Sequence, residues 1–153
     1  MDITFPYTIR VKLPGDLEAI PSVRKFISEA LRVSGFSAKF AFRAEIIVDG
    51  VCNNAITYGN DLDAESEIEV VCRLHSDRME IAVKDRGGAA HHIERLKEAV
   101  GSQESSLADI DYRSVGLGLE IVRLLSETME LTVDDNNLTL VHVVRKREDV
   151  QAS

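Results

Sequence analysis

Three short stretches of this chain combine residue types suited to holding a small, negatively charged ligand. The first is "VDGVCNNAITYG" at residues 48–59, where two adjacent asparagines interrupt an apolar helical run. Wound at about 100° per residue, Asn54 borders the arc of Ala44, Ile47, Val48, Val51 and Ala55, whereas Asn53 falls beside Asp49 on the more exposed side. An amide on the inward edge of a helix needs partners, because burying it unpaired costs roughly 1–3 kcal/mol. A neighbouring loop or a ligand could supply them. The second stretch, "VKDRGG", sets Asp85 at the end of a strand-like run with Gly87 and Gly88 after it. A carboxylate there can accept a hydrogen bond from an exocyclic amine, and a glycine lets flat ligand atoms approach the backbone. A plain turn closing a strand would read the same way. The third, "SVGLGLEIV", places Gly116 and Gly118 directly before a helix, offering backbone N–H groups and a positive helix end to phosphate oxygens. Ile121 stands where the dinucleotide fingerprint requires its last glycine, and no G-x-x-x-x-G-K-[ST] run occurs. His91 and His92 are adjacent, so on a helix they point apart and make a poor metal pair.

The elements that must position these residues follow from periodicity. "YTIRVKL" alternates Ile9, Val11 and Leu13 with polar residues and predicts a strand ending at Pro14-Gly15. "PSVRKFISEALRV" opens with Pro21, repeats Val23, Phe26, Ile27, Ala30 and Leu31 at helical spacing and stops near Gly35. A second helix is expected from about Phe40 to Tyr58. "IEVVCRL" and "MEIAVKD", with a turn at residues 75–78, predict a hairpin. "HHIERLKEAV" suits a short helix, and the polar glycine- and serine-containing stretch after it predicts a loop. "LEIVRLLSET" predicts a helix starting at or just after Gly118. "MELTV" and "LTLVHVVRK" make a closing hairpin about a turn at residues 134–137. Hairpins mixed with long helices argue an α+β two-layer sandwich, with helices on one face of a mixed sheet. Neither an internal repeat nor a linker divides the chain, so residues 1–153 read as one domain with an ordered core over about 7–145.

Composition narrows the function classes. The chain has 153 residues, 44% of them hydrophobic, which suffices for one packed core. With 18 Lys and Arg against 26 Asp and Glu, the net charge of −8 opposes direct binding to nucleic acid or to an anionic membrane. Tryptophan is absent, which leaves no obvious platform for stacking bases. No apolar run approaches the ~18 residues of a membrane span. The opening "MDITFPYTIRVKLPG" lacks the basic start and apolar run of a signal peptide. Cys52 and Cys72 both lie in apolar runs, predicting buried reduced thiols of the kind the cytoplasm maintains.

Taken in order and spacing, Asn54, Asp85-x-Gly87, Gly116-Leu117-Gly118-Leu119 and Thr139 in the last strand resemble the Bergerat-type (GHKL) ATP-binding fold. The likeness is greatest to the small stand-alone anti-sigma-factor serine/threonine kinases, whose usual helix run is similar to "GLGLEIVRLLSE". The resemblance implies ATP or ADP with Mg²⁺ in one pocket. Asn54 would be the metal ligand, Asp85 the adenine reader with Gly87 beneath the ring, and Thr139 a support for adenine recognition, often through water. Gly116, Leu117, Gly118 and Leu119 would form the phosphate segment at the edge of a lid over about residues 88–116. The resemblance also implies a cytoplasmic regulator of transcription that switches partners. It would hold a sigma factor, or release it and engage a small antagonist (anti-anti-sigma) protein whose serine it phosphorylates. Relatives often pair, so a homodimer is a further expectation.

One position departs from that family. Four residues before the metal asparagine the family carries a glutamate, the base that accepts the substrate serine's proton; here the position is Gly50. It lies within about 40° of Asn54 on a helix, Asp49 is displaced by about 140°, and Glu45 is on the far side. No catalytic residue is therefore assigned. A positioned base adds ~10²–10⁴-fold to a reaction otherwise driven by positioning and charge neutralisation. Two readings stay open: a kinase that is slow or uses another carboxylate such as Asp109 or Asp111, and a nucleotide-binding module that acts by sequestration. A detached histidine-kinase catalytic domain would need a dimerising helix pair with a phosphorylatable histidine, and none precedes Phe40.

Overall fold

Residues that alternate between an inner and an outer face make up five strands: β1 (Tyr7–Pro14), β2 (Glu67–Leu74), β3 (Arg78–Asp85), β4 (Thr128–Val133) and β5 (Thr139–Lys146). A computed structural model describes residues 3–56, 67–85, 117–133 and 139–148. The strands form one sheet in the order β1-β2-β3-β5-β4. Ile68, Val70, Leu74, Ile81 and Val143 fill its inner face and are at most 1% exposed. Their neighbours Glu69, Arg73, Glu80 and His142 take the outer face, as a period of two requires. Three helices cover the inner face: α1 (Ile20–Val33), α2 (Ala38–Asn54) and α3 (Leu117–Leu124). This is the expected α+β two-layer sandwich.

The sheet differs from expectation in one respect: all four described strand pairings are antiparallel, where a mixed sheet was expected. The reason is the number of helical passes. One crossover helix returns a chain in the parallel sense. Here α1 and α2 make two passes, so the chain comes back to the end it left, and Pro14 closing β1 lies opposite Glu67 opening β2.

On α1, Ile20, Val23, Ile27 and Leu31 are buried, as the spacing predicts. Phe26 is the exception: expected on the core face, it is 53% exposed. It lies about 60° outside the buried arc, beyond the reach of α2. The turn after α1 uses Gly35 at φ 93°, the left-handed region that favours glycine. Ser37 then caps α2 by accepting the Phe40 N–H at 3.0 Å, so the helix begins ahead of the expected Phe40. Ala41, Ala44, Ile47, Val48 and Val51 form its buried stripe. Past Asn54 the helix widens into a π turn at Ala55 and Ile56, and the expected end at Tyr58 lies outside the described residues. Helix α3 stops at Leu124, short of the expected Thr128, because the Glu127 N–H already bonds the Val144 carbonyl at 2.7 Å to start β4.

The central helix is α2, with α1 against one side and α3 against the other. At one end of the molecule, Arg147 donates to the carbonyls of Gly35 and, at 3.2 Å, Ser76, and its guanidinium lies 4.5 Å from the Phe36 ring centroid. These contacts hold the α1–α2 turn against the β2–β3 turn. From there α2, of 17 residues, rises ~25 Å, and β3, of 8 residues, extends ~26 Å. The two elements therefore end level. Cys52 and Cys72 are buried free thiols, as expected. Burial pushes each up to about 12, with Asp49 adding to the effect at Cys52, so both are protonated and unreactive near neutrality. Among the described residues no helix is long and apolar enough to cross a membrane.

Two outcomes test this packing. Ile47→Ala removes a side chain that is 0% exposed and is expected to cost ~2–5 kcal/mol in urea unfolding, whereas Phe26→Ala should stay within ~0.5 kcal/mol. On the outer face, the Glu80 carboxylate lies 2.5 Å from His75 Nε2 and 3.3 Å from His142 Nε2. The His75 bond holds its pKa below the ordinary 4.5. That contribution to stability is complete above pH 4.5 and is lost as pH falls through the lowered value. Acidification below this ordinary value should thus shift the urea midpoint of wild type further than that of Glu80→Gln.

Candidate functional site

The last turn of α2 separates its two asparagines. Asn53 is exposed and its amide donates back to the Asp49 carbonyl at 2.8 Å. Asn54 is 4% exposed, and its Oδ1 is buried with no hydrogen-bond partner among the described residues. An amide oxygen left this way costs ~1–3 kcal/mol unless a cation or donor meets it. Level with it, Asp85 closes β3 and is 3% exposed. Its cross-strand partner is Thr139, which opens β5 and also pairs with Val133 at the end of β4. Three strand ends thus meet where α2 terminates.

Helix α3 is directed to the same end. Arg145, near the far end of β5, donates to the Leu125 carbonyl just past the helix, so the N-terminus of α3 points towards Asp85 and Thr139. Its first turn contains Leu117, Gly118 and Leu119. Leu119 is 0% exposed and packs in the core, which leaves the backbone of this turn as the part able to meet a ligand. Glu120, one residue on, is 8% exposed, 3.8 Å from Arg123 across one helical turn. A buried acid in a first helical turn is favoured by the positive helix end. Sequence reasoning passed over it because the glycines dominate that stretch; an acid within an otherwise apolar first turn was the available signal. Gly87, Gly116, the expected lid at 88–116 and, within it, His91, His92, Asp109 and Asp111 lie outside the described residues.

Gly50 sits one turn before Asn54, on the same side of α2. The neighbouring carboxylate is committed elsewhere, since Asp49 Oδ2 is 2.8 Å from Arg24 Nη1 on α1. That pair spans two helices and had no signature in the sequence. Among the described residues no group of three His, Cys, Asp or Glu side chains could hold a metal ion. The site is therefore one amide oxygen, one buried carboxylate and one helix N-terminus brought to a common end.

Set beside known proteins, this chain is 26% identical over 143 residues to a serine-protein kinase RsbW of Bacillus cereus, covering 94% of this chain and 88% of the relative. It is likewise 26% identical to the serine-protein kinase RsbW of Bacillus thuringiensis subsp. konkukian, and 25% identical to that of Bacillus mycoides, with the same coverage. Residues 13–143 match the family model described as a histidine kinase-like ATPase domain. Because that match runs from the end of β1 into β5, and so takes in Asn54, Asp85, the glycine run and Thr139, the chain belongs to the histidine kinase-like ATPase domain family.

Proposed function

We propose that this protein is an Mg²⁺·ATP-dependent regulator of the anti-sigma serine-kinase type, working in the cytoplasm. In this reading it holds a sigma factor in one nucleotide state. In another it engages a small antagonist protein, which it phosphorylates on serine. Binding the two partners with different nucleotide states couples ATP occupancy to partner choice. The observation that carries the reading is the Asn54 oxygen, buried without a partner among the described residues, at the same end of the molecule as Asp85, Thr139 and the N-terminus of α3. The family and the relatives' name, serine-protein kinase, support it.

The residues fit the ligands this requires. Mg²⁺ prefers oxygen ligands and commonly takes one or two from protein and the rest from phosphates and water. A single buried amide oxygen, with no acidic or imidazole cluster of three among the described residues, suits that division. Bound there, the ion would neutralise phosphate charge beside Asn54. Asp85 would accept the adenine amine, with Gly87 beneath the ring and Thr139 in support. The N–H groups at Gly116-Leu117-Gly118-Leu119 would meet the phosphates. A homodimer belongs to the same reading.

Gly50 favours a second reading, in which nucleotide is bound and partners are sequestered without phosphoryl transfer. The tie between Asp49 and Arg24 strengthens it, because the nearest carboxylate faces α1.

Calorimetry with and without Mg²⁺ tests the pocket. Wild type should bind ATP, Asp85→Asn should bind it about 5- to 150-fold more weakly, and Asn54→Ala should lose the Mg²⁺ dependence while keeping its melting temperature. An absence of nucleotide binding in wild type would defeat both readings. Phosphotransfer to the antagonist separates them: robust phosphoserine from wild type excludes the sequestration reading. If the lost base limits a slow kinase, Gly50→Glu should raise the rate by ~10²–10⁴-fold.

A further inference from the structure

At the end of the molecule away from Asn54, a cavity of about 260 Å³ opens beside the start of α2, lined by Ser37, Lys39, Phe40 and Glu148. Its walls are charged unevenly. The Glu148 carboxylate is clamped by two arginines, with Oε2 at 2.8 Å from Arg43 Nη1 and Oε1 bonded by Arg145 Nη2. The Arg145 side chain is 8% exposed, its guanidinium lies 5.5 Å from the Phe40 ring centroid, and its buried Nε has no hydrogen-bond partner among the described residues. Lys39 adds a third cation, and the first turn of α2 adds the positive end of a 17-residue helix.

Two arginines thus hold the Glu148 carboxylate, with Lys39 on the cavity wall and Glu127 a second acid acting on Arg145. Burial lowers the Arg145 pKa, and Arg43 lowers it further, so the guanidinium stays charged at a cost that Glu148 and, less strongly, Glu127 only partly offset. The anion is also the loosest member of the cluster: the Glu148 side chain is 60% exposed, against 30% for Arg43 and 8% for Arg145. Arg145 is fixed by burial and by the Leu125 carbonyl, whereas the carboxylate can leave.

We propose that this cavity is an anion site for a phosphate group, free or as a monoester, and that Glu148 occupies it as a displaceable internal substitute. A phosphate dianion supplies the second negative charge that a carboxylate lacks. Arg43 Nη1 and Arg145 Nη2, which now hold the two Glu148 oxygens, would each meet a phosphate oxygen in its place. The volume is below the ~300–1,000 Å³ of pockets that enclose whole ligands, so it suits one group with its attachment outside. The site lies at the opposite end from the proposed nucleotide pocket and does not depend on it.

Heteronuclear NMR on the full chain, titrated with inorganic phosphate or with O-phosphoserine at constant ionic strength in sodium chloride, tests the proposal. Saturable shifts are expected for the amides of residues 37–40 and the Nε signals of Arg43 and Arg145, separate from any response near Asn54 and Asp85. Tighter binding of phosphoserine identifies an ester as the ligand, and equal binding identifies the free anion. Glu148→Gln should tighten binding about tenfold while lowering the melting temperature, which added phosphate restores, and Lys39→Ala should weaken binding at the wild-type melting temperature. An absence of saturable shifts at residues 37–40, or an unchanged affinity in Glu148→Gln, would overturn the site.

Discussion

The Arg147 guanidinium ties the Gly35 and Ser76 carbonyls together and lies on the Phe36 ring, and this knot decides where α2 begins. Everything at the other end follows from that origin, because an α-helix has a fixed rise and a strand a fixed extension. A helix of 17 residues and a strand of 8, started from a common level, finish at a common level. Asn54 and Asp85 finish at the same end of the molecule for that reason. The apolar arc of α2 makes the alignment rigid: Ala41, Ala44, Ile47, Val48 and Val51 are each at most 1% exposed, so the helix has no freedom to slide along the sheet.

Along α2 the chemistry changes with position. Its first four turns serve packing, and its last turn departs from what packing would select. Gly50 costs ~1 kcal/mol against alanine in a helix, and the Asn54 oxygen adds the cost of an unpartnered buried acceptor. Both sit within one turn, next to a π turn at Ala55 and Ile56 of the sort that often marks functional helix ends. A stretch where local stability is given up, inside a helix otherwise built for it, is where ligand contacts are expected.

What the sequence made legible was whatever repeats. Alternation in "YTIRVKLP" and "EIEVVCRL" and the helical stripe of α2 identified the elements, and winding α2 placed Asn54 on the buried edge. What it hid was whatever depends on a distant neighbour. Phe26 fits the α1 stripe by spacing, but which side of that stripe is covered depends on where α2 packs. The antiparallel pairing of β1 with β2 follows from an even number of helical passes, which no window of residues contains. The Arg24–Asp49 pair joins residues 25 apart and the Arg43–Glu148 pair residues 105 apart, so neither has a local pattern. Ser37 was readable as a helix cap, and Phe40 drew attention away from it because apolar residues dominate the signal.

The strand β3 finishes at Asp85 and the helix α3 sets out at Leu117 from the same side of the sandwich. Whatever joins them leaves from and returns to one end of the sandwich, whether it is long or short. For a flexible connection the entropy of holding such ends together grows only with the logarithm of length, roughly 0.6 kcal/mol for each doubling. Insertions and deletions between these two points should therefore cost the sheet almost nothing. Changes of length at this junction therefore leave the core alone, which makes it a natural place for members of one family to diverge.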